Sequence, residues 1–261
     1  MATLEFSGAA SRFTDDAIED AAKEIGCDVA AVRAVIDVES RGGFQSDKRP
    51  KILFERHYFH RLTEGRHSNG NPDISNAKGG GYKGGAREYD RLHRAIALDR
   101  AAALKSASWG AFQIMGANHK AAGFDGVEEF CAAMCESEDR QLAAFVGFVK
   151  ANRLDDELCR RDWAGFARGY NGPAFRKFSY DTKLAAAYLY HSTISGPRAD
   201  GAVRTLKMGD EGEDVAELQK KLGLTADGDF GPATKAAVIA FQQRNGLAAD
   251  GIVGRRTMEK L

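Results

Sequence analysis

Glu39 combines a residue type and a position that suit acid catalysis. Val32, Val35 and Ile36 fall on one face of a predicted helix, and the next position on that apolar face holds Glu39. Apolar surroundings and the negative end of a helix dipole both disfavour a carboxylate, so this position should raise the pKa of the side chain. A carboxylic acid that stays protonated near neutral pH can protonate the bridging oxygen of a glycosidic bond. The alternative interpretation is a helix-terminal glutamate that turns toward water.

A helical hairpin is predicted to position Glu39. Asp28 is a good N-cap for the helix that carries it, and Gly42-Gly43 marks the end of that helix. The preceding segment, from Thr14 to Gly26, also has its apolar residues at helical spacing. The sequence therefore predicts two consecutive helices, with Glu39 in the last turn of the second.

The remaining elements predict a mainly helical fold with a small β element. Residues 50–59 are the best strand candidate, and the Gly-rich residues 63–85 are interpreted as a long surface loop around Tyr82. Residues 192–204 contain Ser-Gly-Pro and Asp-Gly, which indicate a linker. Further helices are predicted over residues 86–105, 127–150, 163–170 and 180–191.

Composition argues against several function classes. The 261 residues carry 37 basic and 37 acidic side chains, so no strong attraction to nucleic acid or to a membrane surface is implied. No apolar run reaches transmembrane length, and no signal peptide is visible at the N-terminus. The four cysteines fit no zinc pattern and are expected to be reduced, so no metal or other cofactor is expected.

Residues 205–261 contain an internal repeat. Residues 224–234 match residues 247–257, with Leu, Asp-Gly, Gly and Thr recurring at the same offsets. Each copy has a tight Asp-Gly turn that leads into a helix start. The sequence therefore predicts a small helical second domain made of two related half-units.

Three separated motifs occur in one order along the first domain: Glu39-Ser40, residues 108–115 (SWGAFQIM) and residues 167–172 (ARGYNG). Their order and spacing resemble the lysozyme-like superfamily, in particular goose-type lysozymes and lytic transglycosylases. With KILFERH, GGGY and Trp163 included, roughly residues 12–191 resemble the N-acetylmuramidase domain of phage endolysins. The tail, with DGDFGPAT and FQ, resembles the small three-helix peptidoglycan-binding domain.

The resemblance implies a lysozyme-like N-acetylmuramidase catalytic domain at residues 1–191, a linker at 192–204 and a peptidoglycan-binding domain at 205–261. Glu39 would protonate the oxygen between N-acetylmuramic acid and N-acetylglucosamine in bacterial peptidoglycan. The residues expected to line the substrate groove are Ser40, Tyr82, Ser108, Gln113, Tyr170 and Asn171. The residues expected to contact the wall are Asp227, Phe230, Phe241, Gln242 and Asp250.

The second catalytic group is left open by the sequence. An inverting hydrolase needs a carboxylate base about 6.5–9.5 Å from the acid, with a water between them. Glu55 and Asp47 are the candidates, and Glu55 is preferred because it lies in a family-like block, although it could instead pair with Arg56 or Arg61. Without a base, the 6-hydroxyl of the sugar could attack, which is the lytic transglycosylase outcome.

The leading hypothesis is a monomeric endolysin, held in the host cytoplasm until lysis and then acting on the cell wall. The competing hypothesis from another class is a wall-binding virion protein with a degenerate lysozyme fold. The presence of Glu39, Gln113 and Asn171 together argues against degeneration. Bacterial peptidoglycan is the expected partner, without nucleic acid and without a membrane span.

Overall fold

The computed structural model describes residues 5–40, 42–195, 206–258 and 260–261. The chain forms two compact units, Met1–His191 and Ser192–Leu261. Among the described residues, no helix is both long enough and apolar enough to cross a membrane.

The N-terminal unit consists of helices around a small sheet, so the prediction of a mainly helical fold with a small β element is confirmed. Its first half contains α1 (Asp15–Ile25), α2 (Val29–Glu39), β1 (Ile52–Phe54), α3 (Arg56–Leu62), α4 (Glu88–Ile96) and α5 (Arg100–Lys105). Its second half contains β2 (Ala107–Trp109), β3 (Ile114–Met115), α6 (Val127–Glu136), α7 (Glu138–Ala151), α8 (Asp155–Arg160), α9 (Trp163–Asn171) and α10 (Tyr180–Ser195). Short 3-10 helices lie at Gly85–Arg87, Gly116–Asn118 and Phe175–Phe178.

The predicted helical hairpin is present with the predicted N-caps, whereas α2 ends with Ser40 as its C-cap, before the predicted Gly42-Gly43 stop. The Thr14 hydroxyl accepts a hydrogen bond from the backbone N–H of Ala17 and begins α1, and Gly26 ends it with a φ of 85°. The Asp28 carboxylate accepts from the N–H of Ala31 at 2.9 Å and begins α2. Both helices pack on the same core, and α1 also packs on α7.

The sheet joins distant parts of the unit. β2 pairs antiparallel with β1 on one side and with β3 on the other, so the order is β1-β2-β3. Leu53 lies opposite Ser108, and Trp109 lies opposite Ile114. The sheet therefore brings the turn between β2 and β3 close to the segment that follows α2.

Three predicted elements are wrong in extent. The strand predicted over residues 50–59 ends at Phe54, and α3 begins at Arg56 so that Phe59 is buried against Phe54, with ring centroids 6.0 Å apart. The helix predicted over 86–105 is two helices, because Asp99 caps a new one. The helix predicted over 127–150 is also two, because Ser137 is extended and its hydroxyl caps α7.

The predicted linker is only partly within the described residues. α10 continues to Ser195, so the first residues of the predicted segment 192–204 are helical. Residues 196–204 lie outside the described part of the chain.

The C-terminal unit is a small three-helix fold, as the resemblance implies. It contains α11 (Glu213–Lys221), α12 (Pro232–Arg244) and α13 (Arg255–Met258). Antiparallel bridges join Leu206 to Val253 and Glu211 to Asp229. Its core is a set of buried apolar side chains: Leu206, Val215, Leu218, Phe230, Val238 and Val253.

The repeat in this unit is a repeated hydrogen-bond pattern, which we call the glutamine brace. In the first copy, the Gln219 amide donates to Asp227 Oδ1 at 2.6 Å and to the carbonyl of Asp229 at 2.9 Å, and it accepts from the N–H of Gly228. In the second copy, Gln242 donates to Asp250 Oδ1 at 2.9 Å and to the carbonyl of Ile252 at 2.8 Å, and it accepts from the N–H of Gly251. The brace therefore fixes each Asp-Gly turn against the helix before it.

The brace bears on the residues expected to contact the wall. Phe230 and Gln242 are buried, with 0% and 1% of their surface exposed, so their contacts are with other residues of the unit. Phe241 is half-buried, and Asp227 and Asp250 are exposed while holding the turns. We infer that Phe230 and Gln242 act on wall binding through the shape of the unit, and that direct contact falls to exposed neighbours.

Replacing Gln242 with leucine should destabilise the C-terminal unit by roughly 2–3 kcal/mol, because the buried N–H of Gly251 and the carbonyl of Ile252 lose their partner. Calorimetry of the whole protein should show a lower unfolding temperature for this unit. Gln243→Leu on the exposed side of the same helix is the matched control. Equal unfolding temperatures for the two variants would contradict a structural role for the brace.

Candidate active site

Glu39 is the last residue of α2, and its side chain is half-buried. The helix buries Val32 and Val35 completely, which fixes its orientation against the core. Burial raises the pKa of Glu39, while the hydrogen bond from Asn171 and the nearby charge of Lys183 lower it in part. The direction of this shift is the one expected from the sequence.

Asn171 is the direct partner of the acid. Its Nδ2 lies 3.1 Å from each carboxylate oxygen of Glu39 and donates to both. It is the last residue of α9, and Gly172 leaves the helix with a φ of 80°. Asn171 Oδ1 is buried and accepts no hydrogen bond from the described residues. The site therefore contains one buried acceptor atom that has no hydrogen-bond partner among the described residues.

Tyr170 joins α9 to the turn between β2 and β3. Its hydroxyl donates to the carbonyl of Phe112 at 2.8 Å. The ring lies parallel to Phe166, with centroids 5.5 Å apart, and meets Phe145 edge-on. This contact fixes the distance between the helix that carries Asn171 and the turn that carries Gln113.

Gln113 and Ser108 shape that turn in the free protein. Ser108 Oγ donates to Gln113 Oε1 at 2.8 Å. Gln113 Nε2 in turn donates to the carbonyls of Gly110 at 2.8 Å and Lys51 at 3.2 Å. Gln113 also has a φ of 50°, in the left-handed region, and these bonds hold it there. The side-chain amide of Gln113 therefore already donates to two backbone carbonyls. The predicted contact of Gln113 with substrate stays a prediction.

Two buried polar residues on α7 position the site and were missed by the sequence reasoning. Glu138 accepts from the N–H of Gly43 at 2.7 Å, so it fixes the chain just after α2. Gln141 accepts from the N–H of Ala111 at 2.7 Å, so it fixes the turn after β2. They lie three residues apart, on the buried face of a helix. Two polar residues at helical spacing on an otherwise apolar face are the sequence signal that indicates such buried hydrogen-bond partners.

Glu55 follows β1 and faces the Gly-rich loop. The hydroxyl of Tyr82 donates to its two carboxylate oxygens at 3.0 and 2.9 Å. His57 Nδ1 lies 3.1 Å from Oε2 of the same carboxylate. The Glu55 side chain is 16% exposed, so it reaches solvent while keeping these contacts. Neither Arg56 nor Arg61 forms an ion pair with it among the described residues.

The Gly-rich loop is tied down by arginines. Arg56 donates to the carbonyls of Pro72, Lys78 and Gly79. Arg91 is buried and donates to the carbonyl of Asp73 and to the buried carboxylate of Glu88 at 2.7 Å. These bonds fix the loop that carries Tyr82 to α3 and α4. Tyr82 itself is 49% exposed.

The two remaining candidates have local roles. Ser40 Oγ accepts from the N–H of Gly42 at 3.1 Å and closes the turn after α2. Asp47 accepts from Arg49 Nη2 at 2.7 Å and from Arg49 Nε at 2.9 Å. These bonds lower the pKa of Asp47, against the effect of its partial burial. Its tie to Arg49 makes Asp47 a poorer candidate for a catalytic base than Glu55.

The N-terminal unit is mainly helical and contains a three-stranded sheet. At the end of one helix, an asparagine amide holds a half-buried glutamic acid. These features define a lysozyme-like domain. The family described as N-acetylmuramidase matches residues 28–192. The chain belongs to this family. A second family, described as putative peptidoglycan binding domain, matches residues 211–261.

Individual proteins are also similar to parts of this chain. The crystal structure of Burkholderia AP3 phage endolysin matches with a TM-score of 0.68 at 44% identity, covering 71% of this chain and 72% of that chain. A zinc D-Ala-D-Ala carboxypeptidase of Streptomyces albus G is 49% identical over 65 residues, which are 22% of this chain and 26% of that protein. An uncharacterised protein of Kitasatospora aureofaciens is 46% identical over 63 residues, 22% of this chain and 53% of that protein. This chain therefore spans about a quarter and about half of these two curated relatives.

Proposed function

We propose that this protein is a cell-wall-lytic endolysin that hydrolyses the β-1,4 bond between N-acetylmuramic acid and N-acetylglucosamine, with Glu39 as the general acid. The observation that carries the proposal is the half-buried Glu39, whose raised pKa keeps a proton available and whose oxygens face the Asn171 amide. The family membership and the peptidoglycan-binding unit support the same substrate.

In the first step, Glu39 donates its proton to the bridging oxygen while the bond from that oxygen to the sugar ring breaks. The ring gains positive, oxocarbenium-like character as the leaving sugar departs. Glu39 becomes a carboxylate, and the Asn171 amide and the charge of Lys183 stabilise it. The contacts that lower the pKa of the acid in part therefore also support the state that it reaches after proton transfer.

In the second step, Glu55 takes a proton from the attacking water. The hydroxyl of Tyr82 and the ring of His57 both contact this carboxylate and hold it in place just after β1. The runner-up is attack by the sugar's own 6-hydroxyl, which would give an anhydro product and would leave Glu55 without a chemical role.

Mass spectrometry of peptidoglycan digested by the protein tests the proposal. Reducing N-acetylmuramic acid ends are expected, and they identify both the bond cleaved and hydrolysis as the outcome. Anhydro ends would replace hydrolysis with transglycosylation. An absence of new glycan ends, together with binding to the wall, would support the wall-binding virion protein.

The two units should work separately. Residues 1–195 alone should keep cutting, and residues 205–261 alone should fold and bind insoluble peptidoglycan. Tethering raises the effective concentration of the active site near its polymer, so truncation should weaken action on dilute walls more than on soluble glycan fragments. Co-sedimentation with purified sacculi and turbidity assays at several wall concentrations measure this. A C-terminal unit that stays in the supernatant would contradict the proposal.

The place of action and the assembly state follow from the same proposal. A lytic enzyme of this kind would stay in the host cytoplasm until lysis and then act on the wall. Glu39, Asn171 and Glu55 all come from one unit of one chain, so a monomer is sufficient for the chemistry.

A further inference from the structure

Four basic side chains near the end of the N-terminal unit form what we call the cationic rim: Arg168, Arg176, Lys177 and Lys183. All four are exposed. Between Trp163 and Leu184 the sequence has one acidic residue, Asp181. Asp162, just before this stretch, caps α9. Among the described residues, none of the four forms an ion pair, whereas Arg94, Arg100 and Arg161 do.

The rim borders the catalytic acid. Arg168 lies one helical turn before Asn171 on α9, on the same face. Its guanidinium carbon lies 6.0 Å from the centroid of the Phe175 ring, and that of Arg176 lies 5.5 Å from the same centroid. The charge of Lys183 reaches Glu39 itself. Arg168 and Lys183 therefore lie on the side of the acid formed by α9 and α10, and Arg176 and Lys177 extend the rim in the short 3-10 helix between these two helices.

A neutral sugar chain does not need such a rim. Hydrogen bonds recognise hydroxyl and acetamido groups, and unpaired basic side chains gain most from an anionic partner. In peptidoglycan, the anionic groups next to the scissile bond are the carboxylates of the peptides attached to N-acetylmuramic acid. Lys177 also lies 5.9 Å from the ring of Phe178, which is 54% exposed and offers an apolar contact beside the charges.

We propose that the cationic rim binds the carboxylates of the wall peptides beside the scissile bond, so that the enzyme prefers strands whose peptide carboxylates are free to strands in which they are amidated. This inference rests on the proposed function, since it concerns the substrate of the same site. The other acid nearby on the packed helix α2, Asp37, is already paired with His191 at 2.6 Å and does not neutralise the rim. Each exposed pair contributes only a few-fold in affinity, so several charges are needed for a clear preference.

The test compares two forms of one substrate. Soluble glycan fragments with their peptides attached are assayed with the peptide carboxylates free and after carbodiimide coupling with ammonia has converted these carboxylates to neutral amides, and kcat/KM is measured for both. The test variant is Arg176→Gln with Lys177→Gln. The control variant is Lys120→Gln with Arg153→Gln, which removes the same charge from exposed positions outside the rim. Circular dichroism and thermal unfolding establish that both variants are folded.

The wild type should cleave fragments with free carboxylates about tenfold better than amidated ones. The Arg176→Gln/Lys177→Gln variant should lose roughly five- to tenfold of that preference, and the control should keep it within about twofold. Raising the salt concentration should reduce the preference of the wild type and change that of the test variant little. If one of these variants fails to fold, Arg168→Gln compared with Lys120→Gln provides the same comparison with one charge removed.

Two results would overturn the inference. One is a wild type that cleaves both substrates equally well, and the other is a test variant whose preference matches that of the control. In both cases glycan cleavage continues, so the proposed function stands while the rim loses its role. A wild type that cleaves neither substrate would instead overturn the proposed function, and this inference with it.

Discussion

Replacing Glu39 with glutamine should reduce glycan cleavage by about 10²–10⁴-fold, because the amide keeps the size of the side chain but has no proton to give to the leaving oxygen. The residue ends α2, is half-buried and faces the Asn171 amide, so the variant should fold with the same packing. Release of reducing ends from purified peptidoglycan measures the loss. Glu19→Gln on the exposed side of α1 is the matched control and should cleave normally.

The same substitution should change stability in a pH-dependent way. Burial raises the pKa of Glu39 in the folded protein, so the favourable contribution of the neutral carboxyl is complete in acid and is lost as pH rises through the folded pKa. Glutamine is neutral at every pH. Glu39→Gln should therefore unfold at a higher temperature than the wild type near neutral pH, and at the same temperature in acid. In the cleavage assay, a folded Glu39→Gln variant that keeps more than a tenth of the wild-type activity would show that Glu39 is not the general acid.

Replacing Glu55 with glutamine should reduce hydrolysis by a similar factor, about 10²–10⁴-fold, if the carboxylate is the base that activates water. Its contacts with Tyr82 and His57 hold it beside the Gly-rich loop, and its side chain is 16% exposed. Asp47→Asn tests the competing candidate and should cost little in chemistry, because Arg49 already engages that carboxylate.

Azide gives an independent measurement on Glu55. In Glu55→Ala, azide can occupy the space of the side chain and attack the sugar carbon directly, without a base. Partial recovery of cleavage with inverted stereochemistry is the expected result. Full activity of a stable Glu55→Gln variant, with anhydro sugar ends as products, would assign the second step to the 6-hydroxyl of the substrate.

The sequence predicts the acid-bearing helix well because every local signal in it agrees. Periodic apolar residues and an N-cap at Asp28 define α2, which ends shortly before the predicted glycine stop, and the one carboxylate on its apolar face is Glu39. The sequence motif that contains Tyr170 and Asn171 predicts that both residues line the substrate groove. In the structure Asn171 holds the acid, and Tyr170 holds the turn across from it.

The parts that sequence could not predict depend on contacts between distant segments. Glu138 supports Gly43 and Gln141 supports Ala111, and no local pattern links either pair. The strand that becomes a helix at Arg56 is a short apolar run, in which alternation and helical spacing are hard to separate. In the tail, the motif containing Gln242 suggested a ligand contact, but the structure shows a buried amide that holds a turn.

The bridge between Leu206 and Val253 has a consequence for the order in which the protein matures. It pairs one of the first residues of the C-terminal unit with one of the last, and Leu206 is buried in the core of that unit. Such a non-local contact forms late, because the whole intervening chain has to be ordered first. During synthesis, the N-terminal unit can fold while the tail is still emerging from the ribosome. Affinity for the wall should therefore arise only after Val253 has left the ribosome, when the catalytic unit can already be folded.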